Sequence, residues 1–134
     1  RPDPMFPVSP RDRRLAPKSY VFALRVDNHP KAYPMEILGK KKIVNDVVGE
    51  TNVFIVADST SRTVRAYARR AYHFAEGTTP LVVIEQKTGE SWHVQEEQLV
   101  NARTGEKLPR LGGHVSYWFG WYAFYPRTEV YNAE

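Results

Sequence analysis

The sequence contains no cysteine. That absence excludes disulfides, thiol nucleophiles and thiolate metal sites, and it leaves the redox compartment undetermined. No apolar run approaches the roughly 18 residues that a membrane-spanning helix needs, and no charged-then-apolar leader opens the chain. The first residues are Arg1 and Pro2, without an initiator methionine. We therefore expect a processed or trimmed product, from which any export signal has already gone. No Gly-x-Ser-x-Gly elbow is present, so Ser-His-Asp catalysis lacks its usual nucleophile turn. The histidines His29, His73, His93 and His114 show none of the short spacings of zinc ligands. No metal and no cofactor is expected.

A chain of 134 residues is one domain by length and is long enough to bury a core. Hydrophobic residues at 42% and charged residues at 25% are ordinary for a globular protein, whereas aromatics at 13% are plentiful and gather near the C-terminus. A net charge of +4 permits attraction to anionic partners. The bases are scattered, however, over Arg11, Arg13, Arg14, Lys40, Lys41, Lys42, Arg62, Arg65, Arg69 and Arg70. Without a basic stripe, nucleic acid is not the expected partner.

Residues 1–18 hold half of the ten prolines and are expected to form an extended arm or linker, with a β-rich domain over 19–134. Tyr20, Phe22, Leu24 and Val26 alternate with Val21, Ala23 and Arg25, which predicts a strand with one well-buried face. Asp27 to Pro30 is turn chemistry, so Lys31 to Tyr33 should return as a hairpin partner. Pro34 opens a short helical turn that Gly39 is expected to cap. Ile43 to Val48, Asn52 to Ala57 and Thr63 to Arg69 are expected to be strands, and Leu81 to Glu85, the most apolar, should be central. Lys87-Thr88-Gly89 and Arg103-Thr104-Gly105 are two similar turns with glycine in the left-handed position. Ser116 is expected to cap an aromatic helix that Pro126 ends, with Trp118, Trp121, Tyr122 and Tyr125 on one face. Glu129 to Tyr131 can add a last strand. The sum is a mainly-β domain, a barrel-like or sandwich antiparallel sheet with one or two short helices.

Asn45 and Asp46 are polar side chains inside an otherwise apolar strand, so they are either structural locks or part of a site. The blocks Ala32-Tyr33-Pro34, Val44-Asn45-Asp46 and Trp118 through Thr128 occur in an order that resembles the domain of unknown function 3179 family. The resemblance covers roughly Ser19 to Tyr131. It implies a tryptophan and histidine where this chain has Lys40 and Lys41, and a Cys-Pro-Leu-Cys loop whose cysteines fall on Asp58 and Ser61. An arginine of the family matches Arg69. The resemblance thus implies a scaffold whose metal-like or redox-like site has been lost, and an exported protein of the periplasm or outer surface.

Three readings follow. The first is an exported, non-enzymatic binding or assembly module, docking another protein or domain or forming a homo-oligomer through its aromatic C-terminal surface. The second is a rebuilt metal-dependent or hydrolytic site around Asp46, Asp58, Ser61 and Arg69, with Tyr33 and Asn45 in the same candidate pocket. The third is a carbohydrate or anion binder. It would use Trp92, Phe119 and Tyr122 as a stacking surface, or Lys40, Lys41, Lys42, Arg62 and Arg65 as a cationic rim.

Overall fold

In a computed structural model that describes residues 14–132, the chain starts with a hairpin, β1 (Tyr20–Val26) and β2 (His29–Pro34). Asp27 and Asn28 at its tip both have positive φ, 51° and 65°. That is the backbone a two-residue hairpin turn demands, and Asn and Asp tolerate it better than most residues. Helix α1 (Met35–Lys40) follows Pro34. Strands β3 (Ile43–Val48), β4 (Thr51–Asp58), β5 (Thr63–Ala68), β6 (Phe74–Glu76), β7 (Val82–Glu85), β8 (Ser91–Val94), β9 (Gln98–Asn101) and β10 (Lys107–Leu111) come next. The chain ends with β11 (Gly113–Tyr117), α2 (Trp118–Phe124) and β12 (Glu129–Val130).

The strands form two sheets. One is four-stranded in the order β11-β1-β2-β12, and the other is eight-stranded in the order β3-β4-β5-β10-β9-β8-β7-β6. The larger sheet curls until its end strands nearly meet, so it is barrel-like. Alternate residues of its strands fill the interior with Phe54, Val56, Tyr67, Phe74, Val83, Trp92, Leu99 and Leu108. The opposite face of β3, β4 and β5 carries Val44, Val48, Val53, Ile55 and Ala66, which pack against Phe22, Leu24, Tyr33 and Leu38. The far side of the small sheet, Val21, Ala23 and Ala32, is covered by Trp118 and Trp121 of α2. The molecule is therefore layered as helix, small sheet, barrel wall and barrel interior. Each large side chain buried in these layers contributes about 1.5–3 kcal/mol.

Mainly-β architecture with two short helices is as the sequence predicts, but several details differ. β1 is buried on both faces, from Val21 to Leu24, because α2 covers the side that alternation alone would leave to solvent. The strand expected to be central, β7, lies next to the end of its sheet, and Leu81 is exposed. In a curled sheet every strand has an interior face to bury, so apolar content does not mark the middle. Gly39 sits inside α1, which instead leaves at Lys41 in an extended conformation, φ −101° and ψ 94°, running directly into β3. Ser116 belongs to β11, and the helix after it has no side-chain cap. Its first N–H groups are satisfied by the strap that precedes β1: Trp118 N donates to Ser19 O at 2.8 Å and Phe119 N to Pro17 O at 2.9 Å.

Of the proline-rich segment, residues 1–13 lie outside the described region. The end of that segment packs onto α2. Leu15 joins the core of this layer, and the Arg14 guanidinium lies 5.2 Å from the Trp118 ring and donates to Thr128 O at 2.9 Å.

Candidate functional site

Period-two alternation puts Lys31 and Tyr33 of β2 on one face, toward the barrel wall, and it puts Asp46 of β3 on the facing side with Val44 and Val48. Three polar groups thereby meet between two apolar layers. Tyr33 Oη donates to Asp46 Oδ2 at 2.6 Å, and Lys31 Nζ lies 2.8 Å from the same oxygen. The Tyr131 ring packs at a tilt against Tyr33, centroids 5.3 Å apart, with Lys31 and Lys41 each 5.8 Å from its centroid. Burial alone would raise the Asp46 carboxyl, but the hydrogen bonds from Lys31 and Tyr33 and the Lys31 charge outweigh it and hold the group below its ordinary value. Burial, reinforced by the bond to Asp46, pushes the Tyr33 phenol far upward, so it stays protonated.

Neighbouring polar residues work on the backbone. Arg69, 4% exposed, donates to three carbonyls at 3.0 Å each: Val53 O, Tyr72 O and Asp46 O. It clamps β3, β4 and the segment leading to β6. Asn45 points to the other face and bonds both ways with Phe74, Nδ2 to the carbonyl and Oδ1 from the N–H, each at 2.9 Å. That pair is the stitch across the barrel seam, between the two end strands of the larger sheet. Tyr33, Asn45, Asp46 and Arg69 are all fasteners.

Asp58 and Ser61 lie elsewhere. Val53 pairs with Asp46, and Asp58 is five residues further along β4, roughly 17 Å at about 3.3 Å per residue. There Asp58 closes the β4–β5 turn, accepting from Thr60 N at 3.0 Å and Ser61 Oγ at 2.9 Å. The bond from Ser61 above all holds its carboxyl below the ordinary value. The four residues of the rebuilt-site reading therefore share no one cavity. Among the described residues no group of three or more His, Asp or Glu side chains could hold a metal ion.

The cationic rim also disperses. Lys40 ends α1, Lys41 turns to Tyr131, and Lys42 reaches Ser59 Oγ at 3.2 Å on the other side. Arg62 sits in the turn at φ 56°, and Arg65 lies on β5 opposite Val56. Lysines in succession point apart because an extended chain alternates its side chains.

The aromatic surface is differently composed from the one expected. Trp92 is 0% exposed, packed between Tyr72 and Phe74 in the barrel, and offers no ring face to a sugar. Tyr122 is turned onto Trp118 at 5.5 Å and packs, half-buried, against the core. Phe119 does lie outside, at the end of a stack the sequence did not reveal. Tyr20 stacks on Tyr117 at 4.8 Å and Tyr117 on Phe119 at 5.9 Å, all three 41–54% exposed. Val115 beside them is 48% exposed. Tyr20 and Tyr117 are register partners across β1 and β11, the signal that tertiary pairing alone supplies.

With this geometry in place the comparison with known families is decisive. A family described as Protein of unknown function (DUF3179) matches residues 1–128, nearly the whole chain. The chain belongs to this family. The DUF3179 match begins at residue 1, so the proline-rich segment lies within the matched region. No curated protein and no solved structure matches the chain. The positions where the resemblance expects a histidine and two cysteines, Lys41, Asp58 and Ser61, lie at one end of the barrel, as the contact between Lys42 and Ser59 indicates. Lys31 and Tyr131 escaped sequence reasoning. A lysine on the apolar face of one strand and an aspartate on the apolar face of another are a readable signal for a half-buried pair.

Proposed function

We propose that this member of the family is a non-enzymatic β domain that acts as an assembly module, and that its β11 edge pairs with β11 of a second copy. The observation behind the reading is the contrast between the two edges of the four-stranded sheet. β12 is two residues long and carries Glu129, the short and charged form that blocks edge pairing. β11, Gly-His-Val-Ser-Tyr, is five residues long and carries no proline, lysine or carboxylate. Its outer backbone groups, unpaired among the described residues, are flanked by Val115 and the Tyr20–Tyr117–Phe119 stack. Tyr117 has both ring faces covered, by Tyr20 and Phe119, so the middle of the stack suits an edge-on protein contact better than a sugar. Antiparallel pairing about a twofold axis sets the same patch against itself, and because β11 carries no lysine, arginine or carboxylate the contact brings no like charges together in a chain of net charge +4.

The mass of the protein in solution tests this. The proposal expects twice the 15.4 kDa chain mass, and a Val115→Lys variant at half that value with its fold intact by circular dichroism. A wild-type monomer up to its solubility limit overturns the self-pairing, as does a dimer that Val115→Lys leaves unchanged. The family resemblance supports placement in the periplasm or on the outer surface. Fractionation of cells producing the full-length protein checks that placement, and recovery with cytosolic markers counts against it.

A further inference from the structure

The seam of the barrel is stitched at Asn45 and Phe74 but open further on, where β3 reaches back to Lys42 and β6 forward to Gly77. A cavity of about 200 Å³ lies there. Ile43, Val56 and Val83 form its floor, and these side chains are the end of the barrel core. Lys42 and Ser59 stand on one rim, and Glu76, Thr78 and Thr79 on the other.

The walls are preformed. A Cβ on Gly77 would sit 2.2 Å from the Val82 carbonyl oxygen, so only glycine lets the loop pass this close to β7. Thr79 holds the loop's return, its carbonyl accepting from Val82 N and its Oγ1 from Leu81 N, both at 3.2 Å. The charged heads are not consumed by other described residues. Lys42 Nζ has one hydroxyl partner, Ser59 Oγ, and no carboxylate among the described residues. Glu76 has neither a hydrogen bond nor an ion pair among them. Two opposite charges thus line the same apolar-floored cavity without pairing with each other.

We infer that this open end of the seam binds a small zwitterion with an apolar body, of the size of a free aliphatic amino acid. Lys42 takes the carboxylate, Glu76 the ammonium, and Ile43, Val56 and Val83 the hydrocarbon. The volume is below the roughly 300–1,000 Å³ of pockets for drug-sized ligands, so the occupant is small. A molecule carrying both charges satisfies both rims, whereas one carrying a single charge leaves the opposite head unmatched. The inference is independent of β11, which belongs to the other sheet.

Three probes separate the contributions by NMR titration of the full chain: L-leucine, 4-methylpentanoate with only the carboxylate, and isoamylamine with only the amine. Leucine should shift the Ile43, Val56 and Val83 methyls saturably, with each one-headed analogue at least about tenfold weaker, the worth of one charge-assisted contact. Lys42→Met should weaken leucine about tenfold or more while leaving isoamylamine unchanged, and Glu76→Gln should spare 4-methylpentanoate in the same way. Both heads are on the rim, so neither variant should move the unfolding midpoint. Absence of a saturable shift at these methyls overturns the inference. So do equal affinities for the three compounds, and so does leucine binding that both variants leave intact.

Discussion

Tyr33 and Tyr117 both lie on strands of the small sheet, and they have opposite fates. Tyr33 is 0% exposed and spends its hydroxyl on Asp46 at 2.6 Å. Tyr117 is 41% exposed, and among the described residues its hydroxyl meets only that of Tyr20, at 3.2 Å. The residue type is the same, and the difference is what stands opposite. β2 faces the barrel wall, where a second layer supplies a carboxylate and a lysine. The Tyr117 end of β11 lies at the sheet edge, where its ring meets the exposed rings of Tyr20 and Phe119. The interior joint is built for stability and the edge for contact, which gives a direct way to break the comparison.

The largest effect is expected at the clamp. Arg69→Met removes the donors to Val53, Tyr72 and Asp46 carbonyls, and at about 1 kcal/mol or more for each orphaned acceptor it should cost about 3 kcal/mol in urea unfolding. A loss below about 1 kcal/mol would mean that the clamp is redundant. Asp46→Ala comes next, at about 2–3 kcal/mol, because it strands the Lys31 ammonium and the Tyr33 hydroxyl. A Tyr33→Phe and Asp46→Asn double-mutant cycle should show coupling of about 1 kcal/mol or more.

The same carboxylate sets a pH dependence. Its folded pKa lies below the ordinary 3.8, so its contribution is complete above that value and is lost as pH falls through the folded pKa. Acid unfolding curves should therefore lose this component below about pH 4, and Asp46→Asn should flatten them there.

Asn45→Ala should cost about 1–2 kcal/mol and accelerate amide exchange at Phe74, the stitched partner, while the amide of Val21 in the other sheet is unchanged. The smallest effect is expected at the edge. Tyr117→Ser should shift stability by no more than about 0.5 kcal/mol while lowering the mass in solution. A large destabilisation there would turn the edge into another joint and remove the contrast.

Much of the fold was readable. The hairpin over Asp27 and Asn28, the strands from β3 to β5, and the paired turns at Gly89 and Gly105, with φ 75° and 77°, follow local rules of alternation and turn chemistry. The two turns even share their cap: Glu85 accepts from Lys87 N and Thr88 N, and Asn101 from Arg103 N and Thr104 N. The helix cap differs from the expectation because carbonyls of the strap at Pro17 and Ser19, far away in sequence, do the work expected of Ser116. The candidate site was legible only as residue types. Tyr33, Asn45, Asp46 and Arg69 could be singled out, but that each is a fastener depends on contacts 13 to 29 residues apart along the chain.

The sequence by itself determined the class of this protein, its strand periodicity and its turns, because these rest on neighbours within a few positions, and its family, because the family's blocks recur in order along the chain. Only the tertiary structure decided which aromatic rings are core and which are exposed, since Trp92 and Tyr117 carry the same apolar signal until a barrel closes over one and not the other. It also decided that Asp46 has two partners while Lys42 and Glu76 face an open seam. Period two fixes the face on which a side chain lies, and the folding of one sheet against another fixes what it meets there.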